Sequence, residues 1–191
     1  ILSREELIAS FDLSRVQKGG ARFDEEKLLH LNREWMRKLS DEDYAARLKK
    51  KGPKVLATVH ILKERATTFS EADALLEGEL ACLFTAPTLD SMKLLMKEPE
   101  QGFTKTALES VLTTIEGLMD GVSADTAKEV LMSLADAEEG KRKGGRGAVL
   151  WPLRYALSGQ EKSPDPFTLV SILGPAESTS RIKTALDILS K

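Results

Sequence analysis

Apolar residues recur at intervals of three and four along most of this chain, and that spacing limits the fold more than any other feature does. The clearest examples lie at residues 55–69, 103–118 and 182–189. Such spacing places the apolar side chains along one face of an α-helix. Because no run of alternating apolar residues is long enough to predict a β-strand, we expect an all-α fold, organised as a helical bundle.

Composition narrows the classes of protein that remain. The 191 residues, 41% of them apolar, are sufficient to bury a core, and a net charge of −2 means that any nucleic-acid binding must come from local patches. The lone Cys82 excludes an internal disulfide, and His30 and His60 lie too far apart in sequence for a zinc motif. No apolar run approaches the roughly 20 residues that span a bilayer, and no signal peptide is visible. We expect no metal site, no membrane contact and a reducing compartment.

The first residues predict a helix at the very start of the chain. Ser3 and Glu6 form a capping-box pattern, in which each side chain accepts a hydrogen bond from the backbone of the other residue. The chain begins at Ile1, without a methionine, only two residues before this pattern. We therefore expect the chain to be a fragment of a longer protein.

A longer helix is predicted to follow Asp24, which is a good N-cap residue. Its apolar residues recur at three- and four-residue spacing, so we expect them to form a buried stripe, with Trp35 in the core. Asn32, Arg33 and Arg37 then remain available to solvent or to a partner. The stripe comprises Leu28, Leu31, Trp35 and Leu39.

The next long helix is predicted to run from Pro53, which suits a first helical turn, to Phe69. At about 100° per residue, Arg65 lies roughly 80° from the centre of the apolar face, so its stem packs at the flank while its guanidinium reaches outward. Ser70, with Asp73 three residues later, is predicted to restart the helix. The apolar face comprises Val55, Val59, Leu62, Ala66 and Phe69.

The stretch from Gly140 to Gly174 carries the clearest functional signal. A glycine-rich segment with four cations leads into an apolar run that only Pro152 and Arg154 interrupt, and then into a Ser-Pro-Asp-Pro-Phe turn at 163–167. A flexible cationic loop, an arginine on an apolar helix and a stiff turn suit a surface that meets phosphate and unstacked bases. The alternative is a solvated charge run followed by a core helix. The four cations are Lys141, Arg142, Lys143 and Arg146.

No catalytic motif is recognisable in the sequence. It lacks a G-x-x-x-x-G-K-[ST] loop, an H-E-x-x-H motif and a nucleophile with an evident histidine partner. The acidic clusters at 41–43 and 138–139 lie in polar helical or loop contexts, which is typical of a solvated face. The sequence therefore predicts a binding module with no catalytic residues and no metal ligands.

Four stretches resemble, in the correct order, the C-terminal part of bacterial glutamyl-tRNA synthetases, which are class I aminoacyl-tRNA synthetases. The most specific pieces are FD-x-x-KL-x-x-x-N, at Phe23 to Asn32, and PLR-x-AL-[ST]-G, at Pro152 to Gly159. The HIGH-like and K-M-S-K-S-like signatures that hold ATP in this class are absent, and we expect them upstream of Ile1. The four stretches cover residues 11–32, 61–69, 148–159 and 163–167.

The resemblance implies a cytoplasmic, monomeric enzyme that attaches glutamate to tRNA-Glu in two steps through glutamyl-adenylate, using ATP and Mg²⁺. Residues 1–40 would form the end of the stem-contact region. Residues 41–99 and 100–191 would form two helical subdomains that bind the anticodon. The fragment by itself would hold no cofactor and would be inactive, because the catalytic domain is missing.

The resemblance also implies an anticodon-binding site. Arg65 falls on the arginine that reads the third anticodon base. Asp165 stands where a glycine is common, and its charge is unfavourable beside phosphate unless it caps the following helix. The residues that fall on the loop and helix start holding the first and middle bases are Arg154, Ser163, Pro164, Pro166 and Phe167. Serine replaces a common threonine at position 163.

Other interpretations remain open for several of these residues. Phe167 and Trp151 also suit a core, Arg154 also suits a snorkelling side chain on a buried helix, and Arg65 also suits a surface pair with Glu64 or Asp73. The cationic loop is expected to add phosphate contacts through Lys141, Arg142, Lys143 and Arg146. The whole chain also suits a stand-alone helical tRNA-binding protein or a helical protein-interaction scaffold.

Overall fold

The computed structural model describes residues 1–16, 19–20 and 22–190, and every regular element in these residues is helical. The prediction of an all-α fold is confirmed. Residues 17, 18 and 21, which belong to one of the stretches that carry the resemblance, lie outside the described residues. The chain divides into two compact units, Ile1–Ala74 and Leu75–Lys191. The division predicted at residues 40 and 99 stays a prediction.

The first unit contains four helices and the start of a fifth. They are α1 (Arg4–Ser10), α2 (Glu25–Lys38), α3 (Asp41–Arg47), α4 (Pro53–Arg65) and α5 (Phe69–Glu77), with a 3₁₀ turn at Leu13–Arg15 between the first two. The second unit contains a 3₁₀ turn at Ala81–Leu83 and five helices. They are α6 (Ser91–Leu94), α7 (Gln101–Glu116), α8 (Ala124–Asp136), α9 (Gly147–Ser158) and α10 (Pro166–Ile188).

Two predicted helix starts are confirmed by their cap hydrogen bonds. Ser3 Oγ accepts from the Glu6 backbone N–H at 3.1 Å, and Glu6 Oε2 accepts from the Ser3 N–H at 2.7 Å. These bonds favour the charged carboxylate, so they lower the pKa of Glu6. Asp24 Oδ1 accepts from the Lys27 N–H at 3.0 Å and so caps α2.

The predicted helix from Pro53 to Phe69 is wrong in its length, because α4 ends at Arg65. A second capping pattern lies between α4 and α5. Thr68 Oγ1 accepts from the Glu71 N–H at 3.1 Å, and Glu71 Oε2 accepts from the Thr67 N–H at 2.7 Å. These bonds satisfy backbone donors that a continuous helix would have used, so the chain stops and restarts there.

The predicted restart of a helix after α4 is confirmed, but α5 begins at Phe69, capped by Thr68, and not after Ser70. Asp73 has a different part: it is 7% exposed, and its Oδ1 accepts from the Lys49 N–H at 2.8 Å. A buried carboxylate that receives a backbone hydrogen bond holds the end of the α3 segment against α5.

The expected burial of Trp35 is wrong as well. Trp35 is 42% exposed and Met36 only 3%, and Lys38 Nζ lies 4.8 Å from the Trp35 ring centroid. The stripe is rotated because polar residues of α2, and not only apolar ones, face the rest of the unit. Asn32 and Arg33 take part in that face.

The carbonyls around the C-terminal end of α4 explain this rotation. Asn32 Nδ2 donates to the Thr67 carbonyl at 2.5 Å, Arg33 Nη2 to the Glu64 carbonyl at 2.5 Å, and Arg37 Nε to the Lys63 carbonyl at 3.1 Å. Terminal carbonyls of a helix lack partners within that helix, so these donors satisfy them. Asn32 and Arg37 stay exposed to solvent, as expected, whereas Arg33 is half-buried, and all three donate hydrogen bonds within the unit.

The core of the second unit forms where α10 packs against α7, α8 and α9. Gly174 has φ 78° and ψ 164°, so the helical conformation of α10 is interrupted there, and Pro175 follows. No helix in the described part of the chain is both long and apolar enough to cross a membrane. The largest fully buried side chains of this core include Leu108, Ile115, Leu131, Leu153 and Leu157.

Candidate nucleic-acid interface

Five of the six predicted anticodon-binding residues lie together in the second unit. They occupy the end of α9, the turn that follows it and the start of α10, and we call residues 151–167 the corner. The sixth, Arg65, is the last residue of α4 in the first unit. The five residues of the corner are Arg154, Ser163, Pro164, Pro166 and Phe167.

Arg154 lies half-buried on α9, with two uncharged partners. Its guanidinium carbon is 4.8 Å from the centroid of the Trp151 ring, and its Nη2 donates to the Glu161 carbonyl at 3.0 Å. Trp151 itself is 9% exposed, as predicted for a core residue, and its Nε1 donates to the Lys93 carbonyl at 2.7 Å. The arginine is thus held in one orientation, and no carboxylate of the described residues forms an ion pair with it.

Gly159 turns the chain from α9 into the corner. Its φ of 66° lies in the left-handed region, and a Cβ added there would sit 2.6 Å from Pro87 Cβ and 3.2 Å from the Thr88 carbonyl oxygen. Both the backbone angle and the close approach require glycine. The predicted PLR-x-AL-[ST]-G motif therefore ends in a residue that the local geometry demands.

Asp165 caps α10. Its Oδ1 accepts from the Phe167 N–H at 3.0 Å and from the Thr168 N–H at 2.9 Å, and its Oδ2 accepts from Thr168 Oγ1 at 2.7 Å. Pro166 follows at the first helical position and is buried. Asp165, which departs from the family pattern, thus accepts hydrogen bonds from backbone N–H groups that have no partner within the helix. This is the capping role that was expected to offset its unfavourable charge.

The turn before α10 keeps its side chains at the surface. Ser163 and Pro164 are half-buried, and Ser163 Oγ donates to the Pro164 carbonyl at 3.1 Å. Phe167 is also half-buried and does not enter the core. An aromatic ring that keeps part of its surface accessible is suited to stack on an unpaired base.

A buried arginine that was not predicted from the sequence holds the end of α9, next to the corner. Arg181 of α10 is 5% exposed. It donates to the Leu157 carbonyl at 2.5 Å, to the Cys82 carbonyl at 2.7 Å and to Glu177 Oε1 at 2.5 Å. It thereby ties the last turn of α9 to the 3₁₀ turn. Its position beside Ile182, on the apolar side of the last helix, is the only sequence signal that pointed to it.

The cationic loop, residues 140–147, is bound to the protein itself. Arg142 pairs with Glu100, and Arg146 Nε lies 2.5 Å from Asp136 Oδ1 and 3.4 Å from Glu139 Oε2. Two of its four cations are therefore already neutralised. Lys141 and Lys143 are exposed.

The glycines of the cationic loop have a packing reason. A Cβ on Gly144 would lie 2.6 Å from the Lys97 carbonyl oxygen and 3.2 Å from the Ala148 backbone N. Gly140 and Gly145 have φ of 76° and 52°. Flexibility for a ligand is not needed to explain these residues, because the local path of the backbone already requires them.

Arg65 is exposed at the end of α4, as its predicted position on the helix implies. The carbonyls on either side of it, at Lys63, Glu64 and Thr67, accept the hydrogen bonds from α2 described above. The helix end that carries Arg65 is thus fixed from one side by three polar side chains.

Comparison with known proteins gives consistent results. Residues 27–186 match the model of a family described as the anticodon binding domain. A glutamate–tRNA ligase of Flavobacterium johnsoniae is 33% identical over 198 residues, which cover 99% of this chain and 37% of the relative. A glutamate–tRNA ligase of Clostridium novyi is 30% identical over 203 residues, which cover 100% of this chain and 40% of the relative.

Solved structures give the same result. The crystal structure of a glutamate tRNA ligase from Elizabethkingia meningosepticum, in complex with its amino acid, matches with a TM-score of 0.71 and 31% identity. That match covers 99% of this chain and 37% of the ligase. Glutamate-tRNA synthetase from Elizabethkingia anophelis matches with a TM-score of 0.64 and 30% identity. The chain thus spans little more than a third of the length of the proteins that it matches.

Proposed function

This chain belongs to the anticodon-binding domain family, and from that premise we propose that it is the RNA-reading part of a glutamate–tRNA ligase. The longer enzyme would attach glutamate to tRNA-Glu through glutamyl-adenylate. The part described here would bind the anticodon loop and leave the chemistry to the rest of the enzyme.

The corner is the observation that carries this proposal. Arg154 is oriented by the Trp151 ring and by the Glu161 carbonyl, and Phe167, in the first turn of α10, keeps part of its ring accessible. Single-stranded bases are recognised by stacking on such rings and by hydrogen bonds from such guanidinium groups to their pairing edges. A stiff turn with prolines at 164 and 166 loses little entropy when it orders around a base.

Arg65 would read the third anticodon base. Glutamate and glutamine anticodons differ there, with cytosine against guanine, and an arginine can donate to the acceptors on the pairing edge of cytosine. Guanine is larger and presents N–H donors to the same guanidinium group, so its binding would be disfavoured. Selectivity would therefore come from both a favourable contact with cytosine and an unfavourable one with guanine. We expect the longer enzyme to prefer tRNA-Glu. Arg65→Gln in that enzyme should reduce the preference for tRNA-Glu over tRNA-Gln. The measurement is the ratio of kcat/KM for tRNA-Glu to kcat/KM for tRNA-Gln, and the same ratio in wild type and variant would remove Arg65 from the site.

The nucleotide chemistry would belong to the rest of the enzyme. The sequence contains no HIGH-like or K-M-S-K-S-like signature, and the described residues include no group of three or more His, Cys, Asp or Glu side chains placed to hold a metal ion. We infer that ATP and Mg²⁺ would bind in the rest of the enzyme. The purified chain should catalyse no glutamate-dependent exchange between ATP and pyrophosphate. We expect the longer enzyme to act as a monomer in the cytoplasm.

A filter-binding titration with tRNA-Glu over a salt series tests the proposed function. We expect weak binding whose affinity falls as salt rises, because phosphate contacts release counterions. A stand-alone tRNA-binding protein would give the same titration, and the reading frame upstream of Ile1 separates it from a ligase.

The scaffold alternative rests on one observation. The segment 1–16 keeps large apolar side chains at the surface, among them Ile8 and Phe11 at 65% exposure and Leu13 at 79%. Exposed apolar side chains in one segment are typical of a surface that meets another protein surface. A scaffold predicts no affinity for RNA, so failure of the titration at low salt would favour it.

A further inference from the structure

A cleft next to the corner holds a lysine that the sequence analysis did not single out. This cleft is shallow and open to solvent, and it is lined by Lys93, in α6, and the turn Gly159–Lys162, together with Gly78 and Glu79. Lys93 Nζ lies 2.7 Å from Glu161 Oε1, and both side chains are about half exposed, at 45% and 52%. The pair is therefore accessible to a ligand in the cleft.

The same lysine is attached to Arg154 through a closed circuit of contacts. The Lys93 carbonyl accepts from Trp151 Nε1, the Trp151 ring carries the Arg154 guanidinium, and Arg154 donates to the Glu161 carbonyl. Glu161 then closes the circuit through its carboxylate and Lys93 Nζ. The side chain of Lys93 is thus aimed at the same turn that Arg154 holds.

Further cations surround this circuit. Lys97 Nζ lies 5.9 Å from the centroid of the Trp151 ring, on which Arg154 also packs. Lys97 and Lys162 are both exposed, and neither forms an ion pair within the part of the chain that the structure describes. These two lysines differ from the two arginines of the cationic loop, which face carboxylates.

An exposed ion pair adds little net stability, since solvent screens it and two flexible side chains must be ordered. Either side chain of such a pair can therefore exchange its partner for another group of the same charge. A phosphate offers Lys93 the same charge as Glu161, with more acceptor oxygens. The hydrogen bond with Glu161 also favours the charged forms, raising the pKa of Lys93 and lowering that of the carboxyl.

We propose that Lys93 binds a backbone phosphate of the anticodon loop, and that Glu161 holds it in position until the phosphate replaces the carboxylate. Lys97 adds a second, weaker phosphate contact beside Trp151. This inference rests on the proposed function, because it names the contact that accompanies base reading at the corner. The phosphate surface would then lie at the cleft of Lys93, with the cationic loop contributing less.

The chain offers a matched control. Lys183 Nζ and Glu116 Oε1 form a pair of 2.9 Å in the same unit, with side-chain exposures of 56% and 48%. This control pair lies on α10 and α7, so it has similar geometry and exposure but no part in the circuit. Any general effect of removing a charge is reported by Glu116→Gln and Lys183→Gln.

The experiment measures the Kd of the full chain for an RNA hairpin with the anticodon stem and loop of a glutamate tRNA, over a salt series. Glu161→Gln should lower the Kd about two- to fivefold, because it removes a negative charge and releases Lys93. Lys93→Gln should raise the Kd by about the same factor and reduce the salt slope by about one. In the double variant, the gain from Glu161→Gln should disappear. Lys93→Arg should bind like wild type.

Each outcome decides the question. Shifts of less than about twofold in Glu116→Gln and Lys183→Gln, with the expected shifts at Lys93 and Glu161, support the proposal. Equal shifts in both pairs, or a gain from Glu161→Gln that persists in the double variant, overturn it while leaving the proposed function intact. Absence of hairpin binding by wild type at low salt overturns the proposed function and this inference together. Thermal melts of all variants, with Lys93→Arg as the reference, separate a loss of folding from a loss of binding.

Discussion

The corner and the cationic loop lie at opposite ends of one helix, α9, and they use their arginines in opposite ways. At the corner, Arg154 contacts an aromatic ring and a carbonyl, and it has no ion pair with a carboxylate in the described part of the chain. In the loop, Arg142 and Arg146 meet carboxylates on three other positions. The difference teaches that the density of cations in a sequence does not locate a polyanion site. What matters is whether the folded chain supplies its own counter-charges.

The largest effect is expected below the corner. Arg181→Met should destabilise the chain by about 3–5 kcal/mol, because it removes charged hydrogen bonds and leaves the Leu157 and Cys82 carbonyls buried without those donors. Chemical denaturation measures the change. Lys183→Met, two residues further along α10 and exposed, should cost less than about 0.5 kcal/mol. Similar losses in both variants would show that Arg181 does not support the corner.

The next effect compares the two regions directly. Arg154→Ala should weaken binding of the anticodon hairpin by about 1–3 kcal/mol if the guanidinium contacts a base. The melting temperature should change little, since Arg154 is only half-buried. A variant that melts much earlier than wild type but binds normally at low temperature would assign Arg154 to the fold and not to the interface.

Asp165 sharpens the comparison, because it places a negative charge inside the corner. Asp165→Ala should destabilise the chain by about 1 kcal/mol through loss of the α10 cap. Asp165→Asn keeps a capping oxygen, so it should destabilise the chain by only a few tenths of a kcal/mol. The same variant should bind the hairpin more tightly, because it removes a negative charge. Weaker hairpin binding by the asparagine variant would show that the carboxylate itself contacts the RNA.

The smallest effect is expected in the cationic loop. Arg142→Ala and Arg146→Ala should each change hairpin affinity by less than about 0.5 kcal/mol, because each arginine is already paired with a carboxylate. Lys141→Ala and Lys143→Ala should reduce the salt slope more than the two arginine variants do. A loss of affinity in either arginine variant as large as that of Arg154→Ala would remove the distinction between the two regions.

Local patterns predicted much of the fold, because helices and their caps depend on residues within one or two turns. The caps at Ser3 and Asp24 and the core position of Trp151 follow from such short spacings. The first residue of α5 was mispredicted because two capping patterns overlap there. Thr68 with Glu71 caps the helix, and not Ser70 with Asp73.

Contacts between distant residues account for what the sequence did not predict. Trp35 faces outward because its neighbours on α2 reach carbonyls about 30 residues away, which no helical period encodes. The carbonyls that bind Arg181 lie 99 and 24 residues from it in sequence. The carboxylate that neutralises Arg142 lies 42 residues before it. The positions of Arg154 and Phe167 at one corner came from a resemblance, and their roles there stay predictions.

The central claim is that the corner reads bases, and base discrimination tests it most directly. The measurement is the ratio of Kd values of the wild-type chain for two hairpins, one with the anticodon of a glutamate tRNA and one with its middle base replaced. We predict a preference of about tenfold or more for the unaltered hairpin, at one salt concentration, and a reduced preference in Arg154→Ala. Equal affinity of the wild-type chain for both hairpins would contradict the claim, since it would leave only phosphate attraction.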